Sequence, residues 1–355
     1  MEKKLKEIKS ILGRFKSKKV VVIGDLMLDH YLWGNVHRIS PEAPVPIVDI
    51  CNQEYRLGGA ANVVNNIISL KATPVIIGVV GDDNYSDILF KLFKEKKINT
   101  DFIIKDKARP STVKSRIFAS GQQVIRYDQE QRQEISEAIE AKVIKNLILA
   151  LKDADALLIE DYNKGLLTEK IIIKAIQTAN EMDIPVTVDP KFKNFFTYKE
   201  CTVFKPNVIE LQKNLNIDIP LHKTLKFSFD SHETENYISS SLFFQSLEDA
   251  AQELFERVNP KNLVITLGEK GLVSFDRDLD MIYIPTFAKE VFDVSGAGDT
   301  VISALTLCLS IGLDIRAASV IANHAAGAVC GKRGIHPVTI DDILLSMKYH
   351  SVIDK

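Results

Sequence analysis

The chain has 355 residues, 46% of them hydrophobic and 26% charged, with a formal net charge of −2. That length allows one large α/β domain or two ordinary ones around a sizeable core, and the near-balanced charge excludes a bulk attraction to nucleic acid, so any anionic substrate must be met by local cations. The four cysteines, Cys51, Cys201, Cys308 and Cys330, show no Cys-x-x-Cys spacing, which argues against a zinc site and fits a reduced cytoplasmic compartment.

The opening MEKKLKEIKSILGRFKSKK is basic but repeats Leu5, Ile8, Leu12 and Phe15 at helical spacing, the pattern of an amphipathic helix packed on a domain rather than of a targeting segment. No later run is long and charge-free enough for a membrane span, so no membrane partner is expected. KVVVIGD reads as a strand, GGAANVVNNIISL as a helix and PVIIGVVGDD as a strand; a helix near 84–95, the strand ALLIED, a helix near 168–181 and the strand IPVTVDP follow. This alternation implies βαβ units and a parallel sheet. Asp25, Asp161 and Asp189 stand at strand ends, where ligands of open α/β sheets gather.

Residues 30–57, with three prolines, and residues 109–128 break the alternation and read as strands and turns. They are expected to form a small β lid over the site. Residues 216–246 are polar, Ser-rich and without period, and are expected to be a surface insertion of unassigned role. NLVITLGEKGLVSFD suggests two strands about a Gly-containing turn, MIYIPT another strand, and 297–311 and 315–331 two largely apolar, buried helices.

The stretch FDVSGAGDT, residues 292–300, joins glycines and a carboxylate at a helix start. Glycines let backbone approach a ligand closely, and the unpaired N–H groups of a first turn favour phosphate. Asp299 beside such an anion hole can take a proton from an attacking hydroxyl. Alone, the same four residues read equally well as a helix cap favoured by the dipole.

DVSGAGDT resembles the C-terminal signature of the ribokinase-like carbohydrate kinases, also called the PfkB family, and the order of the other motifs agrees. The resemblance implies a ribokinase-like three-layer α/β sandwich, a mostly parallel central sheet flanked by helices, with a β lid. It gives Asp299 the role of catalytic base and Gly296, Ala297 and Gly298 that of the anion hole. Asp293 falls where the family places a monovalent-cation loop, making K+ an optional second cation. LGGAANVVNNIISLKA resembles the family's sugar-side element, with Gly58, Gly59 and Asn62 as contacts, although close helix packing explains a bare Gly-Gly equally well. In GDLMLDHY, Asp29 resembles the acidic ligand of sugar hydroxyls, whereas Asp25 serves as well to end the strand. KPNVIEL resembles the Asn-x-x-Glu element, placing Asn207 and Glu210 near the triphosphate of ATP, with Glu210 reaching Mg2+ through water. As a bare motif it is also a helix cap with a solvated Glu. ITLGEKG resembles the nucleotide loop through Thr266 and Gly268, and Asn323 stands where the family approaches adenine, or is a polar residue on a helix face. His324 takes no catalytic role.

HRISPEAPVPIV, EDYNKG and DPK, together with the motifs above, resemble a narrower group, the D-glycero-β-D-manno-heptose 7-phosphate kinases of bacterial surface-polysaccharide synthesis. This implies phosphoryl transfer from ATP to the anomeric hydroxyl. A phosphorylated acceptor needs cations, for which Lys164, Lys191, Arg38 and Arg126 are candidates, each otherwise a solvated surface charge. The chain shows no second α/β run or His-x-Gly-His-like element of a fused nucleotidyltransferase, so residues 1–355 are expected to be a single stand-alone kinase domain. Dimerisation through the lid follows from the resemblance. The alternatives are a kinase of the same family acting on another sugar phosphate or nucleoside, and a non-catalytic sugar or nucleotide sensor.

Overall fold

Successive side chains of a strand point to opposite sheet faces, and in the first strand, β1 (Lys19–Gly24), that rule separates two cores. Val21 and Ile23 join one buried apolar cluster, while Val20 and Val22 join the other. The computed structural model describes residues 2–220, 242–287, 294, 296–331 and 336–353. Among these, nine strands form one sheet in the order β13-β12-β11-β10-β9-β8-β1-β4-β5. Its members beyond β1 are β4 (Thr73–Gly81), β5 (Ile103–Asp106), β8 (Ala156–Glu160), β9 (Val186–Asp189), β10 (Val203–Phe204), β11 (Asn262–Thr266), β12 (Leu272–Phe275) and β13 (Met281–Ile284). All neighbours run parallel except β11–β12 and β12–β13.

Helices cover both faces, giving three layers. The first cluster packs α4 (Glu137–Leu151), α5 (Glu169–Glu181) and α7 (Leu242–Arg257) against the sheet. The second packs α2 (Ala60–Ser69), α3 (Asn84–Glu95), α8 (Ala297–Ser310) and α9 (Ile315–Cys330). The outer helices α1 (Glu2–Leu12) and α10 (Ile340–Ile353) pack on one another at the edge. Buried positions recur along α8 on nearly every side, from Asp299 to Cys308, so its first turn is fixed by core packing. Helix starts are capped locally: Asp83, Thr168 and Asp314 accept hydrogen bonds from the N–H groups of Ser86, Ile171 and Ala317.

A second, four-stranded sheet in the order β3-β2-β6-β7 is built from β2 (Leu26–Ile39), β3 (Pro46–Gly59), β6 (Thr112–Ala119) and β7 (Gln122–Gln129). Only Asp25 separates β1 from β2, and β3 runs directly into α2. This lid therefore grows out of the carboxyl end of the central sheet. Trp33 and Phe118 stack on Tyr31 with centroids 5.8 and 6.2 Å away, and the guanidinium groups of Arg56 and Arg116 lie 4.9 and 5.4 Å from the Tyr31 ring.

Two elements differ from the sequence expectation. The helix α4 went unread because its apolar residues are broken by Glu140, Lys142 and Lys145, yet it buries Ile139, Val143 and Leu147. Residues 242–246 of the expected insertion belong to α7, which Phe243, Phe244 and Leu247 anchor in the core; residues 221–241 lie outside the described residues. Among the described residues no helix is long and apolar enough to cross a membrane.

Candidate active site

The carboxyl ends of β1, β8, β9 and β10 and the starts of α2 and α8 meet beneath the lid. Gly296 caps α8 in the left-handed region, φ 79°, a conformation costly for residues with a Cβ. Asp299 follows in the first turn, 6% exposed. Its Oδ2 accepts a hydrogen bond from Asn62 Nδ2 at 2.7 Å and its Oδ1 one from the Tyr162 hydroxyl at 2.9 Å. Burial pushes the Asp299 carboxyl above the ordinary aspartate range, while Asn62 and Tyr162 pull it down. Asn62 Oδ1 is buried with no hydrogen-bond partner among the described residues, which leaves it available to a ligand hydroxyl.

Tyr162 owes its position to Asp25. That buried carboxylate accepts from the N–H of Tyr162 and of Lys164 at 2.9 and 3.0 Å and from Leu166 at 3.4 Å, tying down the 162–166 loop. Asp25 is thus an organiser of the loop that carries Tyr162. Asp161, the neighbouring strand-end acid, binds the Tyr198 hydroxyl at 2.7 Å and the Asn163 N–H at 2.7 Å, and burial pushes its pKa up to about 6.

Around α8's first turn lies a set of buried acids matched to two lysines. Asp189 Oδ2 pairs with Lys205 Nζ at 2.8 Å; Glu210 Oε1 pairs with Lys191 Nζ at 2.5 Å. A Cβ on Gly298 would sit 3.8 Å from Asp189 Oδ2 and 3.9 Å from Lys205 Nζ, so the helix start rests on that ion pair. Glu160 is fully buried with both oxygens unpaired among the described residues, and burial together with Asp189 and Asp299 drives its pKa well up. Ala297's N–H, one of the three expected in the anion hole, donates to Val294 O at 3.2 Å.

Asn207 and Glu210 form a complete capping box at the start of α6 (Val208–Leu215): Asn207 Oδ1 accepts from the Glu210 N–H and Glu210 Oε2 from the Asn207 N–H, each at 2.9 Å. The cap is real, and Glu210, 2% exposed, is not solvated. Asn207, Thr266, Gly268, Gly298 and Asn323 all line one mostly apolar cavity of about 380 Å³, a size suited to a small organic ligand. Asn323 directs its amide to Pro285 O at 2.6 Å, and His324 stacks on Phe287 with centroids 3.8 Å apart.

On the sugar side, Asp29 is 4% exposed and pairs with Arg116 Nη1 at 2.5 Å. Gly58 is required there, because a Cβ would collide with Asp29 Oδ2; Gly59 is the N-cap of α2. Lys164 is buried against Glu130, Nζ to Oε2 2.6 Å. Two expected cations stand apart. Arg38 is exposed, nine residues beyond Asp29 on β2, roughly 30 Å at about 3.3 Å per residue; Arg126, half exposed, is neutralised by Asp128 at 3.0 Å. The length of the lid strands, which local sequence does not reveal, separates Arg38 from the floor. Asp293 lies outside the described residues.

Sequence reasoning passed over Tyr162, Lys205, Arg116 and Glu160. Tyr162 and Lys205 sat inside the motifs EDYNKG and KPNVIEL, but only the fold shows that they face Asp299 and Asp189. Among the described residues no three His, Cys, Asp or Glu side chains converge as metal ligands.

The family described as "pfkB family carbohydrate kinase" matches residues 17–341. The bifunctional protein HldE of Aliarcobacter butzleri is 41% identical over 340 residues, 96% of this chain and 66% of that protein. HldE of Helicobacter pylori is 37% identical over 328 residues, 92% of this chain and 66% of that protein. The chain thus spans just under two thirds of the length of these relatives. Among solved structures, phosphofructokinase-2 from Escherichia coli in complex with potassium superposes with a TM-score of 0.72 at 18% identity, covering 94% of this chain and 99% of that one. Arabidopsis thaliana ribokinase with ribose and ATP superposes at 0.68 and 17%, covering 93% and 99%. These two share the fold.

Proposed function

The chain belongs to the pfkB family of carbohydrate kinases, and within it we propose that this protein transfers the γ-phosphoryl group of ATP to the anomeric hydroxyl of D-glycero-β-D-manno-heptose 7-phosphate, giving ADP and the 1,7-bisphosphate. The observation that carries the reading is the setting of Asp299: a buried carboxylate at a helix start, held by Asn62 and Tyr162 between the lid and the cavity. The similarity to HldE supports this reading.

ATP occupies the cavity lined by Asn207, Thr266, Gly268 and Asn323, with its phosphates toward the start of α8. The acceptor lies between that turn and the lid, where Asn62 Oδ1 and Asp29 accept its hydroxyl protons. Asp299 takes the proton of the anomeric hydroxyl as the oxygen forms its bond to the γ-phosphorus and the bond to the β-phosphate oxygen breaks. The Gly296 and Gly298 backbone and the nearby Lys205 ammonium favour charge on the transferring group.

Magnesium suits the oxygen donors present. Glu160, Asp189 and Glu210 outnumber Lys191 and Lys205 in the buried set, and Mg2+ is commonly held by one or two carboxylates, waters and substrate phosphates. Asp189 and Glu210 would hold it, with Glu210 reaching it through water because both its oxygens are engaged. The ion supplies charge neutralisation along the phosphates when bound.

Ile39, Val45, Ile50, Ile125 and Tyr127 of the lid are exposed. Isolated apolar residues are unremarkable on a surface, but this set gathers on one small sheet. A second copy of the chain covers it in the proposed homodimer.

The reading is tested by incubating the protein with ATP, Mg2+ and heptose 7-phosphate and following products by phosphorus NMR. A new anomeric phosphate signal is expected; preferential phosphorylation of fructose 6-phosphate would assign the enzyme to another sugar phosphate.

A further inference from the structure

The register of the lid gathers charge on one face. Arg56 on β3 stands opposite Asp29 on β2, which stands opposite Lys114 on β6, which stands opposite Asp128 on β7. Arg116 and Arg126 oppose one another two residues further along β6 and β7, on the same face. Directly opposed residues project to the same side of a sheet, and Lys114, 5.8 Å from the Tyr162 ring, shows that this side looks onto the floor of the site.

Most cations on this face and on the floor below have a carboxylate within 4.0 Å; Arg109, near Asp25, donates instead to Gln133 O at 2.7 Å. Arg56 pairs with Glu54, Arg116 with Asp29, Arg126 with Asp128, Lys164 with Glu130, Lys191 with Glu210 and Lys205 with Asp189. Lys114, partly buried, has no carboxylate within 4.0 Å of its Nζ among the described residues. Its ammonium lies 5.8 Å from the centroid of the Tyr162 ring, while the Tyr162 hydroxyl is 2.9 Å from Asp299. Tyr162 thus stands between the amine and the base, with Lys114 over its ring and Asp299 on its hydroxyl. Burial and the neighbouring Lys164 and Arg126 charges lower the Lys114 pKa, against Asp128 and Glu130, which raise it; a dianion bound there would favour the ammonium form.

We infer that Lys114 binds the phosphate that the acceptor already carries, and that it sets the preference for a phosphorylated over an unphosphorylated sugar. This rests on the sugar-phosphate kinase reading. The six cations named above each have a carboxylate partner within the protein, whereas Lys114, on the cleft side of the lid beside Tyr162, has none among the described residues. A phosphate on the far end of the acceptor completes the pairing, and a neutral sugar leaves it open.

The test compares heptose 7-phosphate with unphosphorylated heptose, and fructose 6-phosphate with fructose, as acceptors for the wild type, Lys114→Met and Lys114→Arg. The expected result is a wild-type KM lower for the phosphorylated member, a ratio reduced at least about tenfold in Lys114→Met, as loss of a charge-assisted hydrogen bond implies, and largely retained in Lys114→Arg. A merely structural role would change both acceptors alike and leave the ratio in place. An unchanged ratio in a Lys114→Met protein with wild-type melting behaviour overturns the inference; were that variant unfolded, Lys114→Gln is read by the same ratio. Wild-type turnover of fructose 6-phosphate but not heptose 7-phosphate would sink the heptose assignment alone, and the Lys114 ratio is then read on the fructose pair. A wild type that prefers the unphosphorylated sugar overturns the inference outright.

Discussion

The floor of the site and the lid above it both carry dense charge, but in opposite solvents. On the floor Glu160, Asp189, Glu210 and Asp299 are 0–6% exposed, and each held contact there acts in a low dielectric where a misplaced charge is costly. On the lid the pairs Arg56–Glu54 and Arg126–Asp128 stand partly in water, where an ion pair contributes about 0.2–1 kcal/mol. In the proposed function the floor would set protonation and geometry, and the lid would select the molecule admitted. Substitutions should divide along the same line, with losses in turnover from the floor and losses in selectivity or assembly from the lid.

The largest effect belongs to the floor. Asp299→Asn keeps the shape of the side chain and removes the base, and turnover should fall by at least roughly 10²-fold, with ATP affinity measured by calorimetry within a few-fold of wild type. Loss of ATP binding in parallel would make Asp299 a structural residue and erase the contrast with the lid.

A second consequence concerns stability. Burial raises the pKa of Asp25, Glu160, Asp161, Glu210 and Asp299 in the folded state, Asp161 to about 6. Raised carboxyls bind more protons folded than unfolded, so stability falls as pH rises from the ordinary carboxylate range through the folded values. Glu54, Asp83, Glu130 and Glu140 are shifted down and act only at lower pH. Melting temperature in the absence of ligands should therefore be higher at pH 5.5 than at pH 8, and Glu160→Gln should reduce the difference, by an amount on the order of 2 °C. A higher melting temperature at pH 8 would contradict the crowding of acids on the floor.

The smallest catalytic effect is expected from the lid's outer residues. Ile125→Glu places a charge among exposed apolar side chains and should shift the proposed dimer to monomer in sedimentation, with kcat within about twofold, as expected of a surface change away from the chemistry. An unchanged sedimentation profile would remove the lid from the dimer.

What the sequence made legible follows the same division. The alternation of β-branched runs and amphipathic helices revealed the layered α/β core because its periods are local. The glycine-flanked Asp299 was visible because a phosphate-facing helix start needs those residue types in immediate succession. The charge pairings were not visible. Asp29 with Arg116, Lys164 with Glu130 and Asn62 with Asp299 join residues far apart in the chain, so sequence could favour Lys164 and Lys191 at their strand ends over Arg38 and Arg126 but could not show that Lys164, Lys191 and Arg126 have carboxylate partners. Tyr162 was hidden for a related reason: its role depends on Asp25 fixing a loop from another strand end. Lys114 drew no notice because the absence of a partner is not a sequence pattern.

The central claim is that Asp299 is the base and that its hydrogen bonds tune it. The pH dependence of kcat in the wild type and in Tyr162→Phe tests it most directly. Burial raises the Asp299 pKa and the Tyr162 hydroxyl lowers it, so wild-type turnover should decline on the acid side through a group above the ordinary aspartate range. Removing the hydroxyl should move that decline to higher pH, with turnover at the plateau reduced by no more than about tenfold. An acid limb at the same pH in both proteins, or one moved to lower pH, would contradict the account.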